Sequence, residues 1–247
     1  MTGANPLDFT GKTALVVGGS SGIGNGIARA FLDAGAQVLV WGTRPDAADY
    51  SASEGSDLAG LLYSQVDAAD WDGVERAARD IPAVDVVVLC QGTVVYGRGE
   101  FERDGWDRVM GVNLDSLMAC ARAFRPALRD SAGSLIIVSS ISGYQANRGN
   151  PAYAASKAGA IGLTRTLGQA WAPDGIRVNG IAPGMVATKL TKVTTDHPGR
   201  LDRTLAAIPL GRMGQPSELG SAALFLASPL ASYVIGHTLV VDGGLLL

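Results

Sequence analysis

Thr13-Ala14-Leu15-Val16-Val17-Gly18-Gly19-Ser20-Ser21-Gly22-Ile23-Gly24 runs from a short β-rich stretch into a glycine loop and then into a helical segment, Ile23–Ala34. Glycines let the backbone turn sharply and come close to a pyrophosphate, whose charge the N-terminus of the next helix stabilises. Strand, glycine turn and helix in this order read as the opening unit of a nucleotide-binding sheet. The spacing is G-x-x-x-G-x-G, over Gly18, Gly22 and Gly24, and not the commoner G-x-G-x-x-G. Glycine-rich turns also serve packing alone, but the place directly after a first strand favours the nucleotide. Gly18, Ser20, Ser21, Gly22, Ile23 and Gly24 are thus candidate cofactor contacts.

Outward from that unit the same alternation repeats. Strand signals recur at Val38–Trp41, Leu61–Val66, Val84–Cys90, Leu135–Ser139, Ile176–Ile181 and Leu239–Val241. Helix-period segments lie between them at Trp71–Arg79, Asp104–Arg129, Ala152–Trp171 and Pro216–Leu226. Continuous Val/Ile/Leu runs suit strands covered on both faces, hence a parallel sheet with helices on each side. The expected fold is α/β, a doubly wound, Rossmann-like parallel sheet in three α/β/α layers. Thr43–Gly60 fits worst; with Pro45, Gly55 and Gly60 it predicts a short or irregular helix. No linker or internal repeat divides residues 1–247, so one domain is expected, with a substrate lid at about 185–214.

Composition narrows the function. The net charge is −3 and there is no basic run, so nothing favours nucleic acid or an anionic membrane surface. No apolar run reaches the ~18–20 residues that span a bilayer. The stretch Met1–Pro6 lacks the regions of a signal peptide, and a cytoplasmic protein is expected. Cys90 and Cys120 are too few and too far apart for a thiol metal cluster, and no metal site is expected; both read as buried, inert thiols. His197 and His237 read as surface or interface residues.

Tyr153-Ala-Ala-Ser-Lys157 carries the chemistry. Residues four apart share a helix face, so a phenol and an ammonium point the same way. A cation within ~4–6 Å typically lowers a phenol's pKa by ~1–3 units, towards the range useful for acid–base catalysis. The ribose that distinguishes the two nicotinamide nucleotides is read at the end of the second strand, where a carboxylate suits a free 2′-OH and an arginine suits a 2′-phosphate. That segment reads Val40-Trp41-Gly42-Thr43-Arg44, with no carboxylate before Asp46. NADP(H) is therefore favoured over NAD(H), with Thr43 and Arg44 as the 2′-phosphate ligands; the plainer reading of Arg44 is a solvated surface charge. Asp67 either accepts a hydrogen bond from the adenine amino group or is a surface turn carboxylate.

With these features the chain resembles the short-chain dehydrogenases/reductases of about 250 residues over essentially its whole length. The likeness extends to Asn113 in Val112-Asn113-Leu114, Ser140 thirteen residues before Tyr153, Val178-Asn179, Pro183-Gly184-Met185-Val186-Ala187-Thr188 and Asp242-Gly243-Gly244. It implies a catalytic set of Asn113, Ser140, Tyr153 and Lys157. Ser140 would donate to the substrate oxygen, Tyr153 would move the proton, and Lys157 would lower the Tyr153 pKa and hold the nicotinamide ribose. Asn113 would bind a water linking Lys157 to solvent. Gly92, Pro183, Gly184, Val186 and Thr188 would complete the cofactor site. Val17 stands where that family usually has Thr, and Leu89-Cys90-Gln91-Gly92 where Asn-Asn-Ala-Gly is usual. An apolar Val17/Cys90 contact is expected to replace a polar one, and Gln91 to crowd the adenosine pocket.

The substrate expected is a small, largely apolar ketone or secondary alcohol between walls at Val94, Val95, Tyr96, Tyr144, Gln145 and Met185. Asp174 stands where a basic residue would help an acidic carrier protein dock, and ranks a 3-oxoacyl (carrier-protein or CoA) reductase second. A non-catalytic nucleotide-sensing protein has no need of Ser140, Tyr153 and Lys157 together. A sugar-nucleotide epimerase or dehydratase usually carries an extra substrate domain, for which the chain is short. The resemblance also implies a homotetramer, built on helices Asp104–Arg129 and Ala152–Trp171 with the tail Leu245-Leu246-Leu247 at a second interface.

Overall fold

Four consecutive apolar residues, Ala14–Val17, suit a strand covered on both faces, and Thr13–Val17 (β1) is buried from Ala14 onward. The computed structural model describes residues 5–247. After β1 come α1 (Gly22–Asp33), β2 (Gln37–Gly42), β3 (Leu62–Gln65), α2 (Trp71–Arg79), β4 (Val86–Leu89), α3 (Arg103–Met110), α4 (Ser116–Ser131) and β5 (Ser134–Val138). The chain continues through α5 (Pro151–Trp171), β6 (Arg177–Pro183), α6 (Lys192–Thr195), α7 (Pro198–Ala207), α8 (Pro216–Ala227) and β7 (Thr238–Val241). The strands form one parallel sheet in the order β3-β2-β1-β4-β5-β6-β7. Strand order reverses between β1 and β4, and a crevice opens there at the carboxyl ends of the strands.

Side chains alternate across the sheet and feed two apolar cores. Leu15, Val17, Val87, Leu89, Leu135 and Ile137 pack with Phe124, Leu128, Leu167 and Trp171 of α4 and α5. Ala14, Val16, Val86, Val88 and Ile136 pack on the other face with Ile27, Phe31, Leu219 and Leu226 of α1 and α8. This parity corrects one expectation. Val17 pairs in register with Leu89 and shares its core, whereas Cys90 packs against the opposite one. The replacement for the polar contact is thus Val17 with Leu89, one residue earlier and on the other face.

Two elements depart from the periodicity. The expected helix Asp104–Arg129 is broken by a π turn at Gly111–Asp115, which turns Asn113 fully inward. Such a turn adds one residue to the ladder and leaves the apolar pattern almost intact, so periodicity does not reveal it. Thr43–Gly60 contains no α-helix, only the 3-10 turns Ala47–Asp49 and Ala52–Glu54. Gly55 and Gly60 there have φ of 72° and 77°, left-handed values that end any helix.

Candidate active site

The crevice is a cleft of about 1170 Å³ running from the glycine loop to the N-terminus of α5. Its floor depends on close backbone approach. Gly18 has φ 76°, and a Cβ there would lie 2.8 Å from the Gln91 amide. A Cβ on Gly24 would overlap the Gly18 carbonyl, so the loop must be glycine at both points to reach β4 and begin α1. Ser20, Ser21, Gly22, Ile23 and Gly24 all line the cleft. No acidic residue sits in the first turn of α1, which leaves the helix dipole free to favour an anion. Gly92 forms the floor opposite: a Cβ there would stand 3.6 Å from both Asn113 Oδ1 and Lys157 Nζ.

Lys157 is buried, and its Nζ donates to the Val138 carbonyl at 3.0 Å. Among the described residues no carboxylate pairs with it. Burial therefore lowers its pKa from 10.5 to about 8. Ser139 Oγ donates to the Lys157 carbonyl at 2.7 Å and fixes that turn of α5 to the end of β5. Ser140 follows, its Oγ accepting from the Ser142 amide at 3.1 Å and its hydroxyl neighbouring that of Tyr153. Lys157 Nζ lies 5.7 Å from the Tyr153 ring centroid.

The phenol is not lowered as the spacing predicts. Burial pushes the Tyr153 pKa up, the Ser140 hydroxyl opposes that, and Tyr96, Cys90 and Glu100 add to the rise. The physical reason is desolvation of the phenol: the Lys157 ammonium stands 5.7 Å from the ring centroid and is bonded to a carbonyl, so its field does not outweigh burial. Asn113 Oδ1 accepts from the Thr93 amide at 2.7 Å, and its Nδ2 donates to the Thr93 carbonyl at 2.9 Å and to Ser156 Oγ at 3.2 Å. The Asn113 amide thus pins the Gly92–Thr93 turn against α5.

At the other end, Thr43 and Asp67 line the cleft. Asp67 Oδ1 accepts from the Ala69 amide at 2.9 Å, a turn contact that among the described residues leaves the second oxygen without a side-chain partner. The Arg44 guanidinium does not reach the cleft wall. It lies over the Tyr50 ring at 4.6 Å and forms a two-pronged pair with Glu54 at 2.6 and 2.8 Å. Gln91 lines the cleft, is itself buried, and donates from Nε2 to Ser116 Oγ at 2.9 Å.

Pro183, Gly184, Val186 and Thr188 lie on the near wall, with Thr188 against Gly22. The segment after them is stapled at its base, since Ala187 N donates to the Gly214 carbonyl at 3.0 Å and Gly214 N to the Met185 carbonyl at 2.9 Å. Its tip is held by the Tyr96 hydroxyl, which donates to the Leu190 carbonyl at 2.7 Å. Val94, Tyr96, Gln145 and Met185 line the cleft; Val95 and Tyr144 do not, and Asn147, Arg148 and Asn150 take their place. Cys90 also lines it and is only half-buried, while Cys120 is fully buried; burial pushes both thiols up to about 12. Among the described residues no group of three or more His, Cys, Asp or Glu could hold a metal.

These features fit a nicotinamide dinucleotide: a carboxylate-free helix start, glycines where a side chain would fill the floor, and a buried ammonium without a counter-ion. Glu54 and Glu100 enter the site from the structure alone, and no local pattern in the sequence marks either. Comparison with known proteins agrees. The family model described as enoyl-(acyl carrier protein) reductase matches residues 17–246. The chain is 37% identical over 245 residues to the 3-oxoacyl-[acyl-carrier-protein] reductase FabG of Chlamydia muridarum, covering 95% of this chain and 97% of that one. It is 39% identical over 240 residues to a galactitol 2-dehydrogenase (L-tagatose-forming) of Cereibacter sphaeroides, covering 95% and 94%. A putative NAD(P) dependent gluconate 5-dehydrogenase from Beutenbergia cavernae, solved with bound NADP at low occupancy, superposes with a TM-score of 0.88 at 38% identity, over 98% and 99% of the chains.

Proposed function

The chain belongs to the short-chain dehydrogenase/reductase family, and on that footing we propose that it moves a hydride between a nicotinamide nucleotide and a small, largely apolar ketone or secondary alcohol. The observation that carries this reading is the meeting of Ser140 and Tyr153 hydroxyls in the cleft, with Lys157 one helical turn below. The nucleotide supplies or accepts the hydride when bound. In reduction, Ser140 Oγ donates a hydrogen bond to the substrate carbonyl oxygen and polarises it. Tyr153 Oη gives its proton to that oxygen as negative charge develops there. In oxidation the same two groups act in reverse, with Tyr153 taking the alcohol proton. Lys157 stabilises the phenolate left after transfer and, by its place beside Gly92, is set to hold the nicotinamide ribose. Asn113 holds the turn that carries Gly92.

NADP(H) is the cofactor we favour. Thr43 lines the wall, and Arg44 can serve a 2′-phosphate by exchanging its Glu54 partner for it. Asp67 serves the adenine, and Pro183, Gly184, Val186 and Thr188 the nicotinamide end. Residues 185–214 form a lid on a single-domain protein, with its base paired at Met185–Gly214 and its tip on Tyr96. No helix of the described residues is long and apolar enough to cross a membrane, and we take the protein to work in the cytoplasm. A carrier-linked 3-oxoacyl substrate is the second reading, favoured by the Chlamydia relative's name. Against it, Arg125 is paired with Asp174 at 2.7 Å and so offers a carrier little free positive charge.

The test is turnover of a panel of free ketones and one carrier-linked 3-oxo thioester by wild type and Tyr153→Phe. We expect Tyr153→Phe to lose about 10²-fold or more in kcat while still binding nucleotide. Undiminished turnover by Tyr153→Phe defeats the reading; strong preference for the carrier-linked substrate promotes the second one.

A further inference from the structure

The first turn of α5 is capped in an unusual way. A helix start leaves its first amides without intrahelical acceptors, and the N-cap side chain normally accepts from the second or third of them. Here the N-cap is Asn150, whose side chain makes no such bond. Pro151 has no amide to satisfy, and the third helical residue is Tyr153 itself. Its amide donates instead to Oε2 of Glu100 at 2.9 Å, a residue fifty-three positions earlier in the chain. Glu100 Oε1 accepts from the Val95 amide at 3.0 Å and from Asn150 Nδ2 at 3.1 Å. Asn150 Nδ2 also donates to the Val95 carbonyl at 3.1 Å.

Glu100 is 1% exposed, and among the described residues no cation pairs with it. Burying a carboxylate is costly unless every lone pair finds a donor, and a plain cap needs no charge, since the Asn150 amide oxygen is at hand. What Glu100 adds is a tie between two parts of the site. One carboxylate grips the amide of Tyr153 and the turn that carries Tyr96, the residue on which the lid tip rests. We infer that Glu100 is a positioning residue for the reaction: it fixes Tyr153 relative to the substrate wall and sets part of the field in which the phenol exchanges its proton. This inference rests on Tyr153 being the proton-transfer group.

The titratable and polar groups around the phenol come from every packed element. Lys157 is on α5, Ser140 follows β5, Cys90 follows β4, and Tyr96 and Glu100 lie on the turn before α3. Of these, Glu100 is the carboxylate, and a negative charge opposes formation of a phenolate. Removing it should ease ionisation of Tyr153 even while spoiling its placement, a combination that loss of a merely structural cap would not give.

The experiment uses the full chain with nicotinamide nucleotide and a turned-over ketone, comparing wild type, Glu100→Gln and Glu100→Asp. For Glu100→Gln we expect kcat to fall about tenfold or more, nucleotide affinity to stay within about threefold, and the pH limb that disappears in Tyr153→Phe to move to lower pH. Glu100→Asp keeps the charge but shortens the reach, so its rate should fall with the limb left in place. The near-ultraviolet phenolate difference spectrum between each protein and its Tyr153→Phe counterpart reads the same shift without turnover. A Glu100→Gln protein with wild-type kcat and an unmoved limb, whatever its melting temperature, overturns the inference. Should Glu100→Gln not fold, wild-type kcat in Glu100→Asp overturns it as well. Full activity in Tyr153→Phe would instead overturn the assignment of Tyr153 and is a separate result.

Discussion

Lys157→Met should abolish turnover and yet stabilise the nucleotide-free protein at neutral pH. The unfolded chain keeps the lysine proton up to the ordinary range near 10.5, whereas the folded chain gives it up at about 8. Between those values the unfolded state binds more protons, so the unfolding free energy rises with pH across that window. Below about pH 8 the burial cost is present in full. At roughly 1.4 kcal/mol per unit, the gap from 10.5 to about 8 amounts to about 3 kcal/mol. Methionine removes that cost but leaves the Val138 carbonyl without the donor it has at 3.0 Å, a loss of about 1–3 kcal/mol. The net gain at about pH 7 is therefore of order 1 kcal/mol, or about 2–4 °C in melting temperature for a chain of this size. By about pH 10 the wild type has recovered most of its penalty, and the variant should be the less stable of the two. Urea unfolding followed by tryptophan fluorescence at about pH 7, 8.5 and 10 measures the difference, and groups common to both proteins cancel in it. A stability difference that stays flat over this range, or a variant already weaker at pH 7, refutes the reasoning.

Two further outcomes are expected. Fluorescence titration should show NADPH bound more tightly than NADH; Arg44→Ala should remove the difference, and Glu54→Gln, by freeing the guanidinium, should widen it a few-fold. Equal affinities in all three proteins would leave Arg44 a surface charge. The protein should also sediment as a homotetramer at micromolar concentration, since Leu230, Tyr233, Ile235 and Leu247 are exposed near the β7 end of the sheet. The tail contributes less than its three leucines suggest: Leu245 and Leu246 are half-buried, Leu245 on the cleft wall, and only Leu247 is fully exposed. A monomer mass would refute the assembly.

What local sequence encodes was legible and what distant partners decide was not. A strand that must be buried on both faces and a glycine loop are visible residue by residue, so β1, α1 and the nucleotide loop between them follow from reading the chain. Ser140, Tyr153 and Lys157 are within eighteen positions of one another and reach the cleft together. Glu54 and Glu100 carried no signal, because each is defined by a tertiary acceptor role: one holds a guanidinium, the other an amide fifty-three residues away. The Val17 partner was misjudged by one residue, which in a strand reverses the face. The Tyr153 pKa was misjudged in direction because helix spacing reports a neighbouring charge but not the desolvation of the phenol.

That last correction bears on which way the site is poised. A phenol held above its ordinary range keeps its proton at neutral pH, which is the form that can donate to a substrate oxygen in reduction. Oxidation requires the phenolate, and in this chain burial and Glu100 both oppose it. Ser140 favours it, and the cation nearby, Lys157, is within a unit or so of losing its own charge. Among the described residues Lys157 and Glu100 form no ion pair with each other. Instead each is bonded to backbone, Lys157 to the Val138 carbonyl and Glu100 to the Val95 and Tyr153 amides. The two buried charges are thereby kept apart around Tyr153, which in the proposed reduction would hold its proton until a substrate oxygen can take it.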